Sequence, residues 1–140
     1  MAEFTAVAAQ TVPVNQNVLF TATPVRGGNC VIHREGNGQV MLRGITSQCR
    51  ARYRVLFGGN IAVPTGGTAG PISLTISIDG EAAPATQMIE TPAAAAEFSN
   101  VSSATYVDVL AGCCSQIAVK NTSTQDISVQ NANLIVERVA

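Results

Sequence analysis

Residues 49–57 read CRARYRVLF, and most of their apolar and charged side chains alternate. Because successive side chains of a β-strand point to opposite faces of the sheet, the alternation separates a buried set from an exposed one. The inward set is Cys49, Ala51, Tyr53, Val55 and Phe57. The outward set is Arg50, Arg52, Arg54 and Leu56. The stretch therefore predicts a strand that packs one face on a core.

A second stretch, residues 72–78 (ISLTISI), alternates in the same way. Its isoleucine and leucine side chains are predicted to face inward, and Ser73, Thr75 and Ser77 outward. The next residues, Asp79 and Gly80, are typical of a tight hairpin turn. The two stretches together give the candidate core residues: Tyr53, Val55, Phe57, Leu74 and Ile76.

Short β-branched and apolar runs recur along the rest of the chain and are separated by Gly, Pro and Asn clusters. They predict strands at residues 14–23, 30–34, 39–43, 86–91, 103–110, 115–120, 127–129 and 132–139. Asn37-Gly38 is expected to supply the positive φ of a hairpin turn, and residues 58–60 and 64–71 are expected to be loops. Residues 92–98 (PAAAAEF) favour a helical turn or two. Roughly nine or ten strands predict an all-β fold, an antiparallel jelly-roll sandwich.

The bulk composition limits the possible functions. The chain of 140 residues fits one domain, with a jelly roll over residues 16–140 and an N-terminal arm over residues 1–15. Charged residues make up 12% and the net charge is −1, which argues against a nucleic-acid partner. Apolar runs are too short to cross a membrane or to form a signal peptide, so synthesis in the cytoplasm is expected. A surface so poor in charge favours burial between subunits.

Residues that could carry chemistry are sparse. His33 is the single histidine, and no nucleophile motif or metal-ligand spacing accompanies it. The glycine-rich residues 65–70 lack the lysine of a phosphate-binding loop. Cys30, Cys49, Cys113 and Cys114 are interpreted as reduced, small buried hydrophobes, with a disulfide or a metal site as the alternatives. No catalytic residue, metal site or cofactor is predicted, and the chain is not expected to be an enzyme.

Arginine is concentrated in one part of the chain, with six between residues 26 and 54 beside the single acid Glu35. Arg50, Arg52 and Arg54 fall on one strand face. In one interpretation they form ordinary pairs with neighbouring strands. In the other they form a basic stripe that binds an acidic surface of a neighbouring subunit or of a larger structure, because guanidinium groups bind carboxylates in a bidentate manner.

The order of these segments resembles the C1q/TNF-like domains. A hairpin strand at 38–44 (GQVMLRG), the Tyr-containing strand at 51–57 (ARYRVLF) and residues 72–80 (ISLTISIDG) follow one another as in that family. Residues 107–112, 117–121 and 134–139 are similar to the closing strands of bacterial and phage members. The resemblance covers residues 16–139 and implies a homotrimer. It is strongest to small phage virion proteins that decorate capsids and to the heads of bacterial spore-surface proteins.

The resemblance implies a structural role. We expect a bacteriophage decoration or auxiliary virion protein that is made in the bacterial cytoplasm, sits on the capsid surface as trimers, and contacts the major capsid protein or another virion surface. One alternative is a head that binds a receptor or a glycan through residues 58–71 and 81–84. Another alternative is a coat component of a spore or cell surface.

Overall fold

The computed structural model describes residues 2–28, 30–44, 49–112 and 114–140, and it is built almost entirely of antiparallel strands. The strands are β1 (Ala2–Ala6), β2 (Gln10–Val12), β3 (Ala22–Val25), β4 (Val31–His33), β5 (Val40–Arg43), β6 (Arg50–Ala62), β7 (Ile72–Ile78), β8 (Glu81–Ala82), β9 (Met88–Glu90), β10 (Ser99–Leu110), β11 (Cys114–Asn121) and β12 (Ile127–Arg138). A short 3-10 turn covers Pro84–Thr86. No helix in these ranges is long and apolar enough to span a membrane.

The strands form two six-stranded sheets packed face to face. Sheet A has the order β10-β6-β12-β1-β3, with β2 also paired to β12. Sheet B has the order β4-β5-β11-β7-β8, with β9 also paired to β7. Sequence neighbours such as β5 and β6 lie in different sheets, so the chain crosses repeatedly between the layers. This arrangement confirms the all-β jelly-roll sandwich.

The core lies between the sheets and is filled by the inward side chains of both. Tyr53, Val55 and Phe57 of β6 are at most 2% exposed, and Leu74 and Ile76 of β7 are fully buried. The predicted inward side chains of these two strands therefore lie in the core, as the period-2 pattern requires.

Strand β7 departs from the simple alternation, because its outward residues are covered as well. Ser73, Thr75 and Ser77 are only 2–6% exposed. The hydroxyl of Thr122, just after β11, lies 2.8 Å from that of Ser73 and 2.9 Å from that of Thr75. These hydroxyl pairs satisfy polar groups that would otherwise be buried without partners.

The N-terminal residues are part of the sandwich. Strand β1 pairs with β12 on one side and with β3 on the other, and Ala2, Phe4 and Ala6 are buried. The prediction of an arm over residues 1–15 was therefore wrong. Alternating apolar residues at 2, 4 and 6 were the signal for this strand, but five residues are too few to separate a strand from an extended tail.

Several predicted boundaries need correction. Residues 58–60 continue β6, and β12 runs through residues 130–131 with a register irregularity at Asn131, where φ is 53°. Within the strand predicted at residues 14–23, Asn17 and Phe20 form isolated bridges, and the regular strand β3 begins at Ala22. Residues 92–98 form no helix. In the β4–β5 hairpin, Gly36 carries the positive φ (86°), whereas Gly38 is packed against the backbone of residue 18.

We predict that Ile76→Asp abolishes folding, because it places an unpaired carboxylate in the core. The expected loss exceeds about 3 kcal/mol. The matched control is Ile89→Asp in β9, where the isoleucine is 61% exposed and the change should leave the fold intact. Circular dichroism and urea unfolding of both variants test this. A folded Ile76→Asp protein would contradict the position of the core.

Candidate functional site: the outer face of sheet A

The side of sheet A that points away from the core is a broad surface made by β10, β6, β12 and β1. In the register of these strands, Ala104 lies beside Leu56, Leu56 beside Ile135, and Ile135 beside Glu3. The next row places Tyr106 beside Arg54 and Arg54 beside Glu137. We call these outward residues of the four strands the outer face.

Two of the predicted stripe arginines on the outer face form ion pairs with neighbouring strands. Arg52 donates to both carboxylate oxygens of Asp108, from Nε at 2.8 Å and from a terminal nitrogen at 3.1 Å. Arg54 donates to Glu137 Oε2 at 2.8 Å. Because all four side chains are at least one-third exposed, these pairs orient the strands' surface groups and stabilise the fold only slightly.

Arg50 is bound more loosely. Its terminal nitrogen lies 3.6 Å from Asp108 Oδ2, beyond hydrogen-bond distance, and its side chain is 60% exposed. The structure thus gives Arg52 and Arg54 partners within the chain. The binding of the stripe to another molecule stays a prediction, and Arg50 is the member with most freedom to make such a contact.

The Arg52–Asp108 pair shifts both groups towards their charged forms. The hydrogen bond from Arg52 lowers the pKa of Asp108, and the bond to Asp108 raises the pKa of Arg52. The sharing of Asp108 between two arginines also lowers the carboxyl pKa. Since a depressed carboxyl pKa stabilises the fold only while that carboxyl is ionised, the pair weakens as the pH falls through the acidic range.

Apolar side chains lie exposed between and beside these charges. Tyr106 is 61% exposed and Leu110 is 72% exposed, although both stand on a well-paired strand. Leu56 and Ile135, in the neighbouring row, are half-buried. The outer face therefore combines an apolar centre with charges that are paired internally. Exposed apolar side chains grouped on one sheet mark a surface suited to contact with another protein.

Strand β6, which carries the three arginines, is tied to the opposite sheet by a partly buried hydrogen bond. Tyr53 is fully buried, and its hydroxyl donates to the carbonyl of Arg43 at 2.7 Å and lies 3.4 Å from the carbonyl of Cys30. Because Tyr53 belongs to sheet A and Arg43 to sheet B, the bond links the two layers. Burial raises the pKa of Tyr53 to about 12, so the phenol keeps its proton at neutral pH.

The single histidine and the cysteines lie in different environments. The His33 ring packs on Phe4 with ring centroids 4.7 Å apart, and its Nε2 donates to the carbonyl of Asn37 at 2.8 Å. Cys49 and Cys114 are exposed, so the prediction of buried cysteines was wrong for these two, whereas Cys30 is half-buried and packs against the core. Cys113 lies outside the described residues. No group of three metal-ligating side chains occurs in the described ranges.

Sequence reasoning missed the partners of the arginines. Asp108, Glu137 and Tyr106 were on predicted strands, but their place beside Arg52 and Arg54 depends on the register of β6 with β10 and β12. The available signal was the period-2 spacing of Tyr106, Asp108 and Leu110, which puts them on one face of β10. The spacing alone does not show which strand pairs with β10, or in which register.

The comparisons with known proteins agree with this architecture. The structure superposes on mouse APRIL with a TM-score of 0.65, at 15% sequence identity over 99% of this chain and 98% of that chain. It superposes on the globular domain of zebrafish complement 1qA with a TM-score of 0.61, at 12% identity over 96% and 94% of the two chains. No family model and no curated protein matches the sequence. The chain thus has a TNF/C1q-like jelly-roll fold.

We predict that Tyr53→Phe lowers the free energy of unfolding by about 1–3 kcal/mol, because it leaves the partly buried carbonyl of Arg43 without this donor. The raised pKa of the phenol also contributes stability to the fold. This contribution is fully present below about pH 10 and is lost progressively as the pH rises towards 12. The wild type should therefore lose about 2 kcal/mol more than the variant between pH 10 and 12. Urea unfolding at pH 7, 10 and 12 measures both effects, and parallel curves for the two proteins would contradict this assignment.

Proposed function

We propose that this chain is a non-enzymatic structural protein that works as a homotrimer, with the part of the outer face around Leu56, Tyr106 and Ile135 buried between copies. The carrying observation is the exposed side chain of Tyr106 one row from the half-buried Leu56 and Ile135, with the exposed Leu110 further along the same strand face. Aromatic and aliphatic side chains of this kind form the centre of protein interfaces and are stabilised by leaving water.

The charges of the outer face favour a second copy of the same chain as its partner. Three arginines share the face with three carboxylates: Arg50, Arg52 and Arg54 with Glu3, Asp108 and Glu137. Arg52 and Arg54 are already paired with carboxylates, and Glu3 accepts a hydrogen bond from Asn133. Identical faces of one net charge would repel one another, whereas an internally neutral face packs against its copies without that cost. The number three comes from the resemblance to C1q/TNF-like domains.

We predict that Tyr106→Asp converts the trimer into folded monomers, because it replaces a large apolar ring with a carboxylate that must lose its water in the interface. Light scattering after size-exclusion chromatography gives the mass, and circular dichroism checks that the sandwich remains. The control is Leu19→Asp, at an apolar side chain that is 45% exposed outside the outer face. A wild-type monomer at micromolar concentration, or a trimer in Tyr106→Asp, would overturn this interface.

The finer proposal is that the trimers decorate a bacteriophage capsid and contact the major capsid protein. Two properties support it: the chain holds only 12% charged residues, as suits a protein whose surface is largely covered, and Arg50 extends at the end of the outer face. A guanidinium that is 60% exposed and 3.6 Å from its nearest carboxylate oxygen is able to bind an acidic group of another protein.

Purified phage particles are then expected to contain this chain in near-stoichiometric ratio to the coat protein, as measured by quantitative mass spectrometry. Arg50 lies two rows along β6 from the Tyr106–Arg54 row, beyond the interface proposed above, so Arg50→Glu should reduce that ratio and leave the trimer mass unchanged. Lys120→Glu, on sheet B, is the matched charge-reversal control and should have no effect. Absence from the particles would contradict the capsid role.

That absence would favour a receptor- or glycan-binding head. A small groove on sheet B supports this second candidate, because it is lined by the amide side chains of Asn15, Asn17, Gln39 and Gln116. Amides bind sugar hydroxyl groups by accepting and donating hydrogen bonds. Residues 58–62, by contrast, are part of β6 and not of a binding loop.

A further inference from the structure

A cavity of about 520 Å³ opens where the edges of the two sheets meet, away from the outer face. Its walls come from β1 and β3 of sheet A and from β4 and β5 of sheet B. The chain crosses between the sheets here, directly after β3. The volume lies within the range of sites for small molecules, and it exceeds what one inorganic ion fills.

Two arginines from different sheets line this cavity. Arg26 follows β3 and Arg43 ends β5. In the described part of the chain, ion pairs form at Arg50, Arg52 and Arg54, and neither cavity arginine has a carboxylate within 4.0 Å. Glu35 also lines the cavity, so the lining carries two positive charges against one negative charge. Two arginines without a carboxylate partner, in the lining of one concave site, attract an oxyanion.

The base of the cavity is rigid. The His33 ring is fixed by its hydrogen bond to Asn37 and by packing on Phe4, and both rings belong to the lining. The backbone of Arg43 is held twice, since its carbonyl accepts the Tyr53 hydroxyl and its N–H donates to the carbonyl of Cys30 at 2.8 Å. The base of the cavity is therefore ordered before a ligand binds, which lowers the entropy cost of binding.

Two glycines, Gly27 and Gly28, follow Arg26 in the cavity lining. A Cβ on Gly27 would stand 3.0 Å from that of Val31 and 3.1 Å from that of Ala2, so this position tolerates little beyond glycine. Gly28 has open space around it and also lines the cavity. Backbone groups at both glycines are therefore close to whatever occupies the site.

We propose that this cavity binds a small organic anion through a carboxylate or phosphate group held between Arg26 and Arg43. The proposal does not depend on the trimer or on the capsid role. Removing a positive charge and removing the negative charge should change the binding affinity in opposite directions. Arg26→Gln or Arg43→Gln should weaken binding at least tenfold, whereas Glu35→Gln should strengthen it several-fold by removing the repelling carboxylate.

The first experiment follows the backbone amide signals of Gly27 and Gly28 by NMR while inorganic phosphate is added at low ionic strength. A saturable shift in the wild type that is lost in Arg26→Gln is the expected result. The matched control is Arg34→Gln, an exposed arginine of the same region outside the cavity lining, which should bind like the wild type within twofold. A shift that does not saturate, or an equal loss in Arg34→Gln, would overturn the proposal.

A second series distinguishes the anionic groups. Glucose 6-phosphate, glucuronate and glucose share a similar body but carry a phosphate, a carboxylate and no charge. The two acids should move the same amide signals, and the tighter one identifies the preferred group. Glucose binding as tight as that of the acids would refute recognition by charge. The amide spectra of every variant confirm that the fold is unchanged.

Discussion

The packing of two sheets around Tyr53 is the constraint on which the other features depend. The ring fills the core from sheet A, and the hydroxyl reaches the carbonyl of Arg43 in sheet B. A hydroxyl buried at this depth must have a partner, and the carbonyls next to the ends of β4 and β5 supply it. The bond therefore fixes how the edge of sheet B sits over the long strand β6.

Two different surfaces follow from this packing. On the far side of β6, the alternation turns Arg52, Arg54 and Leu56 to the outer face, where the neighbouring strands supply Asp108 and Glu137. On the other side, the backbone that Tyr53 holds carries Arg43 into the cavity at the sheet edge. One surface has its charges paired within the chain, and the other leaves two arginines unpaired. This contrast is why the first suits a copy of the chain and the second suits an anion.

Regular strands with one buried face were predictable because the alternation is local. Residues 72–78 match β7 residue for residue, and the inward set of residues 51–57 is buried. Errors arose where tertiary contacts override local preference. Gly59 packs beside the Phe57 ring and continues β6 although glycine favours a loop, and Asn131 continues β12 at positive φ. Thr122 covers the outward hydroxyls of β7, which no pattern within β7 indicates.

The sequence by itself determined the fold class, the core side chains of the central strands and the concentration of arginine between residues 26 and 54, since composition and period-2 spacing are properties of neighbouring residues. Tertiary structure alone decided that Arg52 meets Asp108, 56 residues away, and that Arg26 and Arg43 line one cavity. Strand register and the closure of two sheets bring distant residues together. Both depend on side-chain packing across the whole core, which no single stretch of sequence encodes.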